Sequence, residues 1–416
     1  MSGSGKSISL SRRLHDRLQK FYSLPDLKLL IPKDSNYLTD EEKKTRNNKS
    51  PYIVGKFDNS ETRVECGTDI LNPYTEGRHV VILKDFFDST NNLSVNDNIF
   101  EVEAIADMLE YTSPVRVSLF AGYFPYVRSH SYDKYKKRGL IQTRKLEKLV
   151  THLADSGVNE IVTIDPHSNM IWDLCRRNNI EFQDLNPFQS STSVDYETLG
   201  LTKPFDELEK GIIHAQTPFV AFYQDDRSRE VLGSLPVLKN PFVIIPDAGA
   251  YERSRTFAIE SGIGWDNVLW LDKDRIGPGN VDDASVLEQS PLKLGDVKGK
   301  EGIIIDDLFA TGGTAEYIAK FVKENGGASR IEAWVTHTDN PFPKRYNQLN
   351  YIDSIIALET NNQQVSEAHI DRYPTLFYIS GMTSLLSAAL KRSNYLLSLR
   401  EGIKNDNYKS QANTRT

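Results

Sequence analysis

Two kinds of hydrophobic pattern alternate along the middle of the chain. Short apolar, β-branched runs predict buried strands, and apolar residues that recur every three or four positions predict helices packed on them. Strands are expected over 79–83, 114–120, 160–165, 242–245, 268–271, 302–305, 330–336, 355–358 and 376–379. Helices are expected over 99–109 and 141–155, from about 172, 250 and 313, and over 382–391. Such alternation predicts an α/β fold with mainly parallel sheets flanked by helices.

The alternation is interrupted by a polar stretch near 190–240, and this interruption divides the chain into two units. The expected organisation is an N-terminal extension over 1–50, a first α/β unit over 51–185, a second over 186–398 that contains the polar insertion, and a polar tail over 399–416. The extension is polar and charged, with a few apolar residues at 14–22 that can form one short amphipathic helix.

Composition and charge exclude several classes of protein. The 416 residues, 39% hydrophobic and 26% charged, suit a globular protein of two or three domains. The net charge of −7 argues against a protein held to nucleic acid by its charge. No apolar run is long enough to span a membrane, and the first thirty residues lack the apolar centre of a signal peptide. With only two cysteines, the chain is expected in a reducing compartment, the cytoplasm.

The segment over 302–314 carries the strongest chemical pattern. An apolar strand leads into two acids, a short loop rich in Thr and Gly, and a helix; the polar positions are Asp306, Asp307, Thr311, Gly312, Gly313 and Thr314. Two acids at the end of a strand can accept hydrogen bonds from neighbouring hydroxyls of a sugar. The main-chain N–H groups at the helix start, with the threonine hydroxyls beside them, suit a phosphate monoester. The pattern therefore predicts a site for a 5-phosphorylated ribose.

This order of strand, acid pair, Thr-Gly-Gly-Thr and helix resembles the ribose-phosphate loop of the type I phosphoribosyltransferase superfamily. Within it, further segments resemble the ribose-phosphate pyrophosphokinases, the enzymes that make phosphoribosyl pyrophosphate. These segments lie at 55–62, 123–128, 164–167, 245–253 and 271–275, and they follow the order of that family. The resemblance implies two tandem phosphoribosyltransferase-like domains with the active site between them.

The resemblance also implies which residues bind ATP. Phe57 would lie against the adenine ring while Asn59 and Glu61 read its edge. Arg128, in a segment similar to the Phe-Pro-Tyr-Ala-Arg of the family, would hold the ATP phosphates, because its guanidinium combines charge with a fixed fork geometry. His167 would contact Mg²⁺ and ATP.

On the sugar side, Asp247 would lie near the metal or the ribose. Lys273 and Arg275, at the base of a loop rich in Gly and Pro, would stabilise the diphosphoryl group during its transfer. Mg²⁺ is the implied cofactor, since it keeps several waters, bridges phosphate oxygens and needs few protein ligands.

The expected reaction transfers the β,γ-diphosphoryl group of ATP to the C1 hydroxyl of ribose 5-phosphate, with AMP released. The expected partners are these two substrates and further copies of the chain, in homo-oligomers built from dimers, with hexamers as the implied assembly. Neither nucleic acid nor a membrane is expected.

Three alternatives stay open at this stage. The first is a transferase that consumes phosphoribosyl pyrophosphate; it would use the sugar loop but not the ATP segments. The second is a non-catalytic regulatory subunit, favoured by Ala310, where the family carries Asp, and by Ser129-His130 in place of Gln-Asp, although Lys273 and Arg275 are retained. The third is a diphosphokinase with a larger acceptor that ends in ribose 5-phosphate, which the insertions could accommodate.

Overall fold

The structure is a computed structural model. It describes residues 11–16, 28–30, 52–87, 93–129, 136–137, 139–188, 218–224, 237–272, 285–338, 349–358, 360, 376–379, 385–386 and 389. Of the closing helix expected over 382–391, only 385–386 and 389 lie in these ranges, and they are helical. Of the short helix expected at 14–22, residues 14–16 are described, and they are helical together with 11–13.

The first unit begins with an antiparallel hairpin that pairs β1 (Ile53–Lys56) with β2 (Thr62–Glu65). A four-stranded parallel sheet follows, formed by β3 (His79–Leu83), β4 (Arg116–Ala121), β5 (Glu160–Ile164) and β6 (Glu181–Leu185). The strands lie in the order β3-β4-β5-β6. The helices are α1 (Thr68–Thr75), α2 (Val95–Glu110), α3 (Lys145–Asp155) and α4 (Met170–Arg177). Strands β4 and β5 are buried along their whole length, as expected of parallel strands covered on both faces.

The second unit contains a seven-stranded sheet, formed by β7 (Pro241–Ile245), β8 (Val268–Asp272), β9 (Ser285–Val286), β10 (Glu301–Phe309), β11 (Arg330–Thr338), β12 (Ser354–Leu358) and β13 (Leu376–Ile379). The strands lie in the order β13-β12-β11-β10-β7-β8-β9, and all are parallel except β9. Its helices are α5 (Pro218–Gln224), α6 (Tyr251–Glu260) and α7 (Gly313–Gly326), with 3₁₀ turns at Ala248–Ala250, Trp265–Asn267 and Leu294–Val297. The predicted α/β class is confirmed.

Helix α2 shows how local sequence sets the elements. Ser94 accepts a hydrogen bond from the Asp97 N–H, and Asp97 accepts one from the Ser94 N–H, so a capping box fixes the first turn. A carboxylate near a helix start also favours the helix dipole. The apolar positions of the next turns, from Ile99 to Leu109, then face the sheet and are buried.

One buried hydrophobic cluster takes side chains from both sheets. Phe120 and Val162 of the first unit pack in it with Val243, Ile303 and Trp334 of the second. Helix α5, from the polar insertion, adds Phe219 and Phe222, and the segment interpreted as an N-terminal extension adds Leu14. Because this cluster is continuous, the carboxyl ends of strands from both units can build one site. No helix within the described ranges combines the length and apolar character that a membrane crossing requires.

Candidate functional site

A cavity of about 310 Å³ lies where the two units meet. Its polar lining comes from Arg128 and His167 of the first unit, and from Asp247, Arg253, Asp306, Asp307, Thr311, Gly312, Gly313 and Thr314 of the second. All of these positions except Arg253 were assigned a role from the sequence. The structure therefore brings the predicted sugar loop together with part of the predicted nucleotide site.

The loop over 310–313 is shaped by one glycine. Gly312 precedes α7 with φ of 71°, a left-handed conformation that L side chains rarely adopt. A Cβ atom there would lie 2.6 Å from Cζ of Phe309, whose ring is buried. Only glycine therefore fits between this ring and the turn. The first N–H groups of a fourteen-residue helix follow, and they lie at the cavity wall where an anion is favoured.

A second segment supports the loop from behind. The carboxylate of Glu316, in the first turn of α7, accepts hydrogen bonds from the backbone N–H groups of Asn350, Tyr351 and Ile352. The side chain of Leu349 lies 3.3 Å from the position that a Cβ of Gly312 would take. The loop is thus packed on both sides before any ligand arrives.

The acid pair differs from the prediction in its local structure. Strand β10 was expected to end at 305, but its pairing with β11 continues to Phe309, so Asp306 and Asp307 belong to the strand. Pairing with β7 stops earlier, at Ile304. Side chains alternate along a strand, so the two acids differ in environment, with Asp307 more deeply buried than Asp306.

The two carboxyl groups have pKa values shifted in opposite directions. Burial disfavours the charge on Asp307, but the 2.7 Å hydrogen bond from His167 Nδ1 and the charge of Arg253 outweigh it, so the pKa of Asp307 is lowered. Burial and the neighbouring charge of Asp307 raise the pKa of Asp306. Two adjacent acids in one pocket therefore favour different protonation states.

Arg253, on α6, is the main site residue that sequence reasoning left without a role. Its Nη2 lies 2.8 Å from Oδ1 of Asp165, and its Nη1 lies 3.7 Å from Asp307 and 3.9 Å from Asp306. Burial acts against its charge, but the three carboxylates outweigh it and raise the pKa of Arg253. The sequence does not reveal the contact between Arg253 and Asp165, because the two residues are 88 positions apart.

Asp165 follows β5 and connects several parts of the site. Its backbone is left-handed, with φ of 41°. Its Oδ2 accepts a 2.5 Å hydrogen bond from the Thr336 hydroxyl, and its N–H donates to Asp184 Oδ1 at 3.1 Å. Burial, followed by the charge of Asp165, raises the pKa of Asp184 to about 8.

A stack of three rings joins the 123–128 segment to the second unit. The Tyr123 ring lies 4.4 Å from that of His337 and 4.7 Å from that of Phe87, measured between centroids. His337 is fully buried, its Nε2 lies 2.8 Å from the carbonyl oxygen of Ile164, and burial lowers its pKa. In the same segment Tyr126 is left-handed, and the chain then turns to place Arg128 at the cavity.

Three other predicted residues, all at one turn of the first unit, do not line the cavity. Phe57, Asn59 and Glu61 lie at the turn between β1 and β2, where Phe57 is 49% exposed and the Arg63 guanidinium lies 5.6 Å from its ring. Lys56 ties this turn to α2 through a 2.9 Å ion pair with Asp97. Lys273 and Arg275, like His130, fall outside the described residues.

The donor set at the cavity fits Mg²⁺ in its chemistry. Within the part of the chain that is described, no group of three His, Cys, Asp or Glu side chains is arranged to hold a metal by itself. Mg²⁺ is commonly bound through one or two carboxylates, several waters and substrate phosphates, so such a cluster is not required. Carboxylates of Asp247, Asp306 and Asp307 and the imidazole of His167 line one cavity and supply mainly hard oxygen donors.

The chain is similar to known proteins in its sequence and in its fold. No family model matches the sequence. The ribose-phosphate pyrophosphokinase of Aquifex aeolicus is 27% identical over 286 residues, which cover 68% of this chain and 70% of the relative. That of Buchnera aphidicola is 26% identical over 376 residues, 89% of this chain and 96% of the relative. The crystal structure of phosphoribosylpyrophosphate synthetase from Mycobacterium smegmatis superposes with a TM-score of 0.56 at 18% identity, covering 92% of this chain and 96% of that one.

Proposed function

Because this chain is a homologue of the ribose-phosphate pyrophosphokinases, we propose that it is itself a ribose-phosphate diphosphokinase. It transfers the β,γ-diphosphoryl group of ATP to the C1 hydroxyl of ribose 5-phosphate, and it releases AMP and phosphoribosyl pyrophosphate. One observation carries the proposal. One cavity is lined both by Arg128 and His167, which we propose bind the nucleotide, and by the loop and acid pair proposed to bind the sugar phosphate.

The sugar phosphate is proposed to bind at the start of α7. N–H groups of Gly313 and Thr314 and the threonine hydroxyls face the 5-phosphate, where the helix dipole favours negative charge. Asp306 and Asp307 accept hydrogen bonds from the ribose hydroxyls. His167 holds Asp307 and Arg253 lies beside both acids, so their positions are set before the sugar binds. This preorganisation orients the C1 hydroxyl toward the nucleotide.

The nucleotide phosphates are proposed to lie on the side of Arg128 and His167. The guanidinium of Arg128 pairs with phosphate oxygens, and Lys273 and Arg275 stabilise the charge that develops on the transferred group. His167 and Asp247 would hold Mg²⁺, which when bound neutralises phosphate charge. The turn that carries Phe57, Asn59 and Glu61 is proposed to contact the adenine.

The alternatives explain the site less well. A transferase that consumes phosphoribosyl pyrophosphate has no use for Arg128 and His167 at the cavity. A regulatory subunit has no need for an acid pair held by Arg253 and His167, whatever the effect of Ala310.

The experiment mixes the purified chain with ATP, Mg²⁺ and ribose 5-phosphate and follows nucleotides and sugars by chromatography and ³¹P spectroscopy. Equal amounts of AMP and phosphoribosyl pyrophosphate are expected. ADP as the product, or no AMP even with inorganic phosphate added, would refute the proposal. If AMP is released only with a larger molecule that ends in ribose 5-phosphate, the reaction class stands but ribose 5-phosphate is not the acceptor.

A matched pair of variants connects the activity to the cavity. Asp307→Asn should lower kcat/KM for ribose 5-phosphate strongly, because it removes the carboxylate that accepts a hydrogen bond from His167. Asp353→Asn changes an acid that pairs with Lys323 and does not line the cavity, so its kcat/KM should stay near that of the unmodified chain.

The resemblance further suggests a homo-oligomer built from dimers, and we include this assembly in the proposal. Light scattering coupled to size-exclusion chromatography would measure its mass directly. A monomer at the concentrations used in the activity assay would contradict it.

A further inference from the structure

We propose that Arg253 is a positioning residue: it holds the segment Asp165–His167 of the nucleotide side against the acid pair of the sugar side, and so sets the spacing of the two substrates. This inference rests on the proposed function and deepens it. It assigns to α6 a part in the reaction that the sequence pattern did not reveal.

The contacts of Arg253 cross the boundary between the two units. One terminal nitrogen, Nη2, donates to Asp165 Oδ1 at 2.8 Å. The other, Nη1, lies 3.9 Å from Asp306 and 3.7 Å from Asp307, and it also donates to the Gly249 carbonyl at 3.3 Å. The side chain is only 11% exposed and lines the cavity. One guanidinium therefore contacts the acids of both units at the point where the substrates are proposed to meet.

The charge balance explains why a cation is needed there. Asp165 of one unit and Asp307 of the other lie 2.8 Å and 3.7 Å from the same guanidinium, and like charges in a poorly solvated site repel strongly. Without Arg253, the repulsion between these acids would push the Asp165–His167 segment away from β10. His167 lies two residues from Asp165, so it would move with this segment, and its 2.7 Å hydrogen bond to Asp307 would be weakened.

The geometry explains why the cation is an arginine. A guanidinium presents donors in two directions in one rigid plane, so it can bond Asp165 on one side while lying beside the acid pair on the other. A lysine would supply the charge at one point only. The left-handed backbone of Asp165 also needs support from its neighbours, which Arg253, Thr336 and Asp184 provide together.

The test compares Arg253→Gln and Arg253→Lys with a matched control, Arg116→Gln. Arg116 is also a buried arginine between two acids, 3.0 Å from Glu160 and 2.6 Å from Glu181, but it lies at the amino ends of the strands and does not line the cavity. Each variant is measured in steady-state kinetics with both substrates, in thermal unfolding, and in hydrogen exchange without ligand.

Arg253→Gln should lower kcat/KM for ribose 5-phosphate by at least about thirtyfold, the lower end of the cost of truncating one partner of a buried charge pair. KM for ATP should also rise, because His167 of the proposed nucleotide side moves with the segment. Arg253→Lys should recover part of the loss. Hydrogen exchange over 161–168 and 304–310 should become faster in Arg253→Gln and stay unchanged in Arg116→Gln. If Arg253→Gln does not fold, Arg253→Lys carries the same comparisons with a smaller expected loss.

Three results would overturn the inference. The first is unchanged kcat/KM and exchange in Arg253→Gln. The second is an equal loss in Arg116→Gln, which would make the effect one of general stability. The third is full activity in Arg253→Lys, which would reduce the role to charge alone. Absence of AMP release by the unmodified chain would instead refute the proposed function, and the exchange comparison would still decide whether Arg253 joins the two segments.

Discussion

Gly312→Ala should distort the proposed phosphate loop, because a side chain at this position has no room and an unfavourable backbone conformation. The new methyl group would lie 2.6 Å from Cζ and 2.7 Å from Cε1 of Phe309, and 3.3 Å from the side chain of Leu349. The φ of 71° adds a cost of its own, about 1 kcal/mol for an L residue in this conformation. Because the Phe309 ring is buried, it cannot move aside freely, and overpacking of this kind costs about 1–3 kcal/mol. The two costs together are about 2–4 kcal/mol. Part of this lowers the free energy of unfolding, and the rest is relieved by a distortion of the loop.

Gly299→Ala provides the matched control. Gly299 has a φ of 72°, but nothing lies within 4 Å of the position of its Cβ, so only the backbone cost of about 1 kcal/mol applies. Urea denaturation would measure the two stabilities, and calorimetry would measure the affinity for ribose 5-phosphate. We expect affinity to fall at least about tenfold in Gly312→Ala, equivalent to about 1.4 kcal/mol, and to stay nearly constant in Gly299→Ala. Equal stabilities and equal affinities in the two variants would refute the argument from packing.

Three further outcomes are expected. Lys84→Met should lower the free energy of unfolding by about 3–5 kcal/mol in urea denaturation, since it leaves Glu101 buried without the cation now 2.7 Å away. If stability is recovered when Glu101→Leu is added, the uncompensated charge is the cause. An unchanged stability in Lys84→Met would exclude it. Asp184 has a folded-state pKa raised to about 8 from 3.8, so the folded protein retains a proton that the unfolded chain releases between these values, and stability contributed by this group falls as pH rises through that window. Asp184→Asn should therefore weaken the loss of stability between about pH 4 and 8, and an identical pH profile would contradict the assignment. Lys273→Ala should lower kcat by orders of magnitude while ATP binding is nearly retained, and equal losses of binding and turnover would contradict its assigned role.

The elements that sequence patterns predicted well are those buried on both faces. All nine expected strands are present within a few residues, since runs such as that of β4 have few polar positions to obscure them. Strands β1, β2 and β6 were not predicted, because they are short and half-exposed and carry polar residues such as Lys56, Arg63 and Asp184. Strand β9 has only two residues, too few for a period.

The candidate site was predictable where a motif is contiguous. Asp306 to Thr314 could be recognised from order alone, because the strand, loop and helix adjoin in sequence. The partners that hold these residues could not. Thr336 lies 171 residues from Asp165, and His337 lies 173 from Ile164, so only the packing of one sheet against the other brings them together. Hydrophobic periodicity identifies which side of a strand is buried but not which distant side chain it meets.

Because the two sheets share one hydrophobic cluster, we expect each unit to need the other to cover its apolar residues. A chain cut between Phe188 and Phe219 would leave Phe120 and Val162 uncovered on one fragment and Ile303 and Trp334 uncovered on the other. Each fragment alone would present a large apolar face, which water disfavours in proportion to its area. Fragment complementation, in which the separated pieces associate and rebuild the cavity between the units, is the behaviour that such an arrangement favours.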